Sequence, residues 1–103
     1  MNNLDVVRTL LEMRDLLAQA NEPQWAERVD RLAASFQTDS PEEVKSMARQ
    51  ALRMFGGMGS LSDLVVYVHG VPVPEMNDRL EAMRRQLHAE LVALIADAPD
   101  AAL

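Results

Sequence analysis

The side chains that could do chemistry form a short list. The chain has two histidines, His69 and His88, one lysine, Lys45, and no cysteine. Nucleophilic catalysis needs a Ser, Thr or Lys activated by a neighbouring base, and no serine stands in a G-x-S-x-G elbow. Gly57-Met58-Gly59-Ser60 is similar to part of a phosphate loop, but the lysine that should follow the glycines is missing. Metal ligation by histidine needs close spacing. His69 and His88 lie 19 positions apart, with no H-x-x-x-H or E-x-x-H pair. Glu42-Glu43 and Asp97/Asp100 read as capping and solubility charges. Paired carboxylates would also need a cleft between two walls, which a domain this small offers poorly. His88 falls beside the apolar seam of the last helix and reads as a boundary histidine. The expectation is a non-enzymatic protein with no catalytic residue, no metal site and no cofactor.

The elements that must position these residues come from a chain of 103 residues, 49% hydrophobic and 25% charged. That length fits one domain, 1–103, with 99–103 as a frayed tail after Pro99. A chain of this size should bury roughly 65% of its unfolded surface, enough for one modest core. Without cysteine there is no disulfide scaffold, which suits a reducing compartment. Ten basic against sixteen acidic residues give a net charge of -6. This argues against nucleic acid, whose binding needs a basic footprint, and against an anionic membrane. No run approaches the roughly 20 apolar residues of a membrane span, and no basic region precedes an apolar stretch at the N-terminus. The expected location is the cytoplasm.

Four segments carry a helical period. Residues 4–20 present Leu4, Val7, Leu11 and Met13/Leu17 on one face, widened by Val6 and Leu10, with Asn3 as the expected cap. Asn21-Glu22-Pro23 stops this helix. Residues 23–36 place Trp25, Val29, Leu32 and Phe36 on a seam, with Glu27 and Arg31 paired on the other face. Ser40-Pro41-Glu42-Glu43 is a capping box, followed by Val44, Met47, Ala48, Ala51, Leu52 and Phe55, and Gly56-Gly57 ends that helix. Residues 75–98 carry Met76, Leu80, Met83, Leu87, Leu91 and Leu94, with Glu75 and Arg79, and Glu81 and Arg85, at pairing distance along the helix. Most methionines lie in or near these seams and read as core filler. The resulting fold class is all-α: a small compact bundle of four main helices, plus a short helix over 61–66 after the glycine-rich loop. The β-branched and aromatic run Val65-Val66-Tyr67-Val68 offers a strand instead, but no second strand is evident to pair with it. Residues 69–74 read as an extended connector, because two prolines fix φ and remove donors.

Three of the four glycines fall within Gly56-Gly57-Met58-Gly59-Ser60. This loop reads either as a C-cap followed at once by an N-cap, or as a recognition loop. In the second reading Met58, Ser60, Asp63, Tyr67 and His69 face a protein partner. Free N–H groups at the Ser60 start could also receive an anion, but Asp63 competes for them. Charge is uneven: residues 1–40 carry -3, residues 41–59 carry +1 and residues 60–103 carry -4.

The run Phe55-Gly56-Gly57-Met58-Gly59-Ser60-Leu61-Ser62-Asp63-Leu64 resembles the F-G-G-M-G-S-L-x-D-L signature of a family of small bacterial proteins with no assigned activity. Trp25 matches that family's tryptophan, and Asn77 matches its late asparagine. The resemblance supplies no catalytic residue. Small acidic bacterial proteins of this kind are similar to immunity proteins, which neutralise a cognate toxin. The functional expectation is therefore an immunity protein that occludes a toxin's active or substrate-binding site. The alternative is a self-associating adaptor module, a homodimer, motivated by the broad apolar faces of the first and last helices.

Overall fold

Capped helix junctions and a hairpin connect the helices of this protein in its computed structural model. The structure describes residues 3–38, 40–56, 64–68 and 70–97, the side chains of 54–56, 68 and 97 excepted. The elements are α1 (Asn3–Gln19), α2 (Pro23–Ser35), α3 (Pro41–Gly56), β1 (Tyr67–Val68), β2 (Val71–Pro72) and α4 (Pro74–Asp97). The four-helix, all-α architecture expected from the sequence is present. Among the described residues, no helix is long and apolar enough to cross a membrane.

The first reversal ends α1. Asn21 adopts φ 59°, its N–H donates to Ala18 O at 3.2 Å, and the Glu22 N–H donates to Leu17 O at 2.9 Å. This is a Schellman closure, with asparagine in the left-handed position usually taken by glycine. Pro23 then opens α2 at its first position, where a missing N–H costs nothing. Asn3 does not act as the expected cap. It lies inside α1, and its amide donates to Phe36 O at 2.6 Å and Thr38 O at 3.4 Å. It thereby satisfies carbonyls at the far end of α2, fixing α1 and α2 as an antiparallel pair. Arg14 joins the same two helices, at 2.8 Å from Asp30 and 2.9 Å from Asp15. Bonds to Asp30 and then Asp15 raise the Arg14 pKa above its ordinary value.

The next junction starts α3, which packs mainly on α4. The Glu43 N–H donates to Ser40 Oγ at 3.3 Å, as a capping box requires. The return bond is relayed. Thr38 Oγ1 donates to Glu43 Oε2 at 2.6 Å and receives the Ser40 N–H at 3.3 Å. The chain reverses again at the β1–β2 hairpin. The expected short helix does not include residues 64–66, which are not helical, and 61–63 lie outside the described residues. The strand reading prevails because β1 does have a partner: Val71-Pro72, within the segment expected to be a bare connector.

Packing runs through α1 and α4. α1 contacts α2 and α4, and α4 contacts α3, in a molecule measuring 53 × 20 × 20 Å. The core includes Val6, Leu10, Met13 and Leu17 from α1, Val29 from α2 and Phe36 at its C-cap, Ala48 and Ala51 from α3, and Leu80, Leu87 and Leu91 from α4. These residues recur at helical spacing, so each helix turns one stripe inward. Leu4, expected on the inward face, is instead 60% exposed. Of the i,i+4 pairs, Glu27–Arg31 and Glu81–Arg85 form, and Glu75 and Arg79 make no ion pair.

Polar contacts centred on Thr9 cross the α1–α4 interface. Thr9 and Glu90 are both buried, and Thr9 Oγ1 lies 2.6 Å from Glu90 Oε1. Gln86 Nε2 donates to the same hydroxyl at 3.3 Å. Removing one partner strands the other in a desolvated site, whereas replacing both with apolar groups does not. Thr9→Val should therefore destabilise the protein by about 1–3 kcal/mol in chemical denaturation. The double variant Thr9→Val/Glu90→Leu should lose less than the sum of the single variants. Strict additivity would show that the contact carries no coupling.

Candidate functional site: a hairpin clamped to the last helix

The site begins where the chain enters α4. Val73 O accepts the Asn77 N–H at 3.0 Å, the first bond of that helix, and Pro74 takes the first helical position. The same residue closes the hairpin, because the Val73 N–H donates to Val66 O at 3.1 Å. β1 and β2 run antiparallel, with Tyr67 opposite Pro72 and Val68 opposite Val71. Hydrogen-bonded and non-bonded pairs alternate along such a ladder. The bonded pair Val66–Val73 therefore makes Tyr67–Pro72 a non-bonded pair, which is why a proline without an N–H fits in β2. Gly70 turns the hairpin at φ 77°. A Cβ there would meet nothing within 4 Å, so the backbone conformation alone calls for glycine.

In a regular ladder Val66 N–H would donate to Val73 O. That carbonyl is already turned into α4, and the Asn77 side chain fills the gap. Asn77 Oδ1 accepts the Val66 N–H at 2.6 Å, while Nδ2 donates to Val66 O at 3.1 Å and Val73 O at 2.9 Å. The amide acts as an inserted peptide group, satisfying both polar atoms of a residue whose side chain is fully buried. The reverse amide orientation would set an oxygen against two carbonyls, so the network fixes it. About two helical turns further, Arg84 Nη1 donates to Leu64 O at 3.2 Å. Both clamps come from α4, and together they hold Leu64, Val66 and Val73 against it.

Held this way, the hairpin presents apolar groups outward. Val65 is 43% exposed, Tyr67 54% and Val71 63%. Of the residues expected to face a partner, Tyr67 is placed in β1 and exposed. Met58, Ser60, Asp63 and His69 lie outside the described residues. Val65 and Val71 join Tyr67 on the exposed hairpin and were not singled out by the sequence reading. Their signal was available: both are β-branched, and Val71 directly follows the turn glycine. His88, expected at the edge of the seam, is exposed. Leu87 and Leu91 take the inward face, and the helical rotation carries residue 88 away from it. His88 lines a depression of about 330 Å³ with Glu81, Arg84 and Arg85. Among the described residues, no three His, Asp or Glu gather as a metal site would require.

A family model described as Domain of unknown function (DUF6966) matches residues 18–74, more than half of the chain. The protein belongs to this family. The DUF6966 match runs from the end of α1 through α2, α3 and the hairpin, and it stops three residues before Asn77. No curated protein and no solved structure matches the chain.

The clamp makes a sharp prediction. Asn77→Ala leaves the buried Val66 N–H without its acceptor and should cost about 1–3 kcal/mol. The near-isosteric Asn77→Asp should cost at least as much, because a carboxylate offers no donor to the two carbonyls. Urea denaturation of the three proteins checks both values, and wild-type stability in Asn77→Asp would show that the donated bonds are immaterial.

Proposed function

We propose that this protein is a non-catalytic protein-binding module that neutralises a cognate toxin in the cytoplasm by occluding its active or substrate-binding site. The observation that carries this reading is the clamped hairpin, with Val65, Tyr67 and Val71 exposed on a backbone already fixed to α4. An apolar anchor held rigid before binding loses little conformational entropy when a partner covers it. Aromatic anchors of this kind account for much of the energy of small interfaces. The net charge of -6 suits a basic cleft, which it would steer into place at long range.

Tyr67→Ala should weaken the complex by roughly 1–3 kcal/mol, or about 5- to 150-fold in Kd. The test co-expresses the chain with the toxin-like product of an adjacent gene, then measures binding and cell survival. Complex formation and protection, both reduced by Tyr67→Ala, are expected. No complex and no protection would overturn the reading.

Leu4 on α1 and Val92 on α4 are 60% and 46% exposed, and they favour a second reading, a self-associating adaptor. A dimer in sedimentation equilibrium that Leu4→Ser converts to monomer would support it, and a monomer at high concentration would exclude it.

A further inference from the structure

We infer that the outer edge of β1, extended back to Val65, pairs antiparallel with the same edge of a second copy of this chain, joining two hairpins into one four-stranded sheet. The two edges of the hairpin are not alike. Val66 and Val73 form a bonded pair, so the backbone groups of Tyr67 and Pro72 point away from each other, to the two outer edges. By the same alternation the backbone groups of Val65 point outward beside those of Tyr67. Pro74, which opens α4, stands in the phase of Pro72. Both outward positions on the β2 side are therefore proline, with no N–H to give. Proline at such positions blocks strand addition. Both outward positions on the β1 side keep an N–H and a carbonyl. Among the described residues, no hydrogen bond engages the backbone of Val65 or Tyr67.

The symmetry and charge of this edge select its occupant. A two-fold axis at Val66 sets Val65 of one copy opposite Tyr67 of the other. Each such pair exchanges two backbone bonds, and the axis generates the second pair. Each pair also sets a β-branched side chain against an aromatic one, a favourable cross-strand combination. The whole chain carries -6, so two copies repel at long range. Residues 64–74 contain no Asp, Glu, Lys or Arg, so the copies meet where neither brings a charge. The strip offers no charge for a partner of opposite sign to read, while it is its own complement. Four strands also remove the weakness of a lone hairpin. The contact is small, so the dimer is weak and forms with concentration. Pairing lies in the plane of the sheet, whereas the Tyr67 side chain stands across it and stays exposed. The dimer is thus independent of what that side chain binds.

Sedimentation equilibrium and backbone amide exchange of the full chain, from about 10 μM to about 1 mM, test the pairing. A dimer should appear at the upper end. The Val65 and Tyr67 amides should exchange roughly twofold more slowly there, as expected when half of the chain is paired. Val65→Pro removes one outward donor and none of the bonds that hold the hairpin to α4. It should stay monomeric, with unchanged exchange at Val66 showing that the hairpin is in place. Val65→Glu keeps the donor, brings a charge from each copy to the seam, and should also stay monomeric. Leu4→Ser, on α1, should leave the dimer intact. A monomer at about 1 mM, amide exchange of Val65 and Tyr67 that ignores concentration, or a dimer that survives both Val65 variants would overturn the inference. Each of these results leaves toxin binding through Tyr67 untouched.

Discussion

The Asn77 side chain stands between two kinds of backbone order. Val73 must serve the hairpin with its N–H and the helix with its carbonyl, and it cannot also return a bond to Val66. An amide one helical turn into α4 resolves the conflict, because it carries an acceptor and two donors in one plane. A hairpin of two-residue strands is marginal by itself. Here it is made part of the helical core, since Val66 is buried and its polar atoms are all engaged with α4 or with Val73. The exposed face of Tyr67 follows from that placement, because successive side chains of a strand point to opposite sides.

α4 is therefore more than one wall of the core. Its apolar stripe packs against α1 and α3, its first turn clamps the hairpin, and Arg84 holds the residue that leads into it. A helix of 24 residues runs about 36 Å, long enough to carry the Thr9–Glu90 contact well beyond the clamp. The hairpin and the arginine depression consequently share one rigid support.

The helices were legible in the sequence because each depends on a local repeat. Val29 and Phe36, and Leu80, Leu87 and Leu91, are spaced for one face, and Ser40 with Glu43 announces a helix start within four residues. What was not legible depends on distance. Asn3 looked like a cap but bonds 33 and 35 residues away, and Thr9 meets Glu90 across 81. The strand in 67–68 seemed to lack a mate because Val71-Pro72 carries a proline, and only the alternation of the ladder shows that this position needs no donor. Of the expected partner-facing residues, Tyr67 was readable from its aromatic character beside β-branched neighbours. The arginine depression was not, because Glu81 and Arg85 read as an ordinary helix pair until Arg84 joined the same carboxylate.

The central claim is that Asn77 makes the hairpin part of the folded core rather than an appended loop. Amide hydrogen exchange at Val66 tests it most directly, because that N–H has the Asn77 side chain as its acceptor. The account predicts that Val66 exchanges as slowly as the buried amides of α4 around Leu87, through global unfolding. Exchange of Val66 at the rate of an unstructured chain, with α4 still protected, would contradict it.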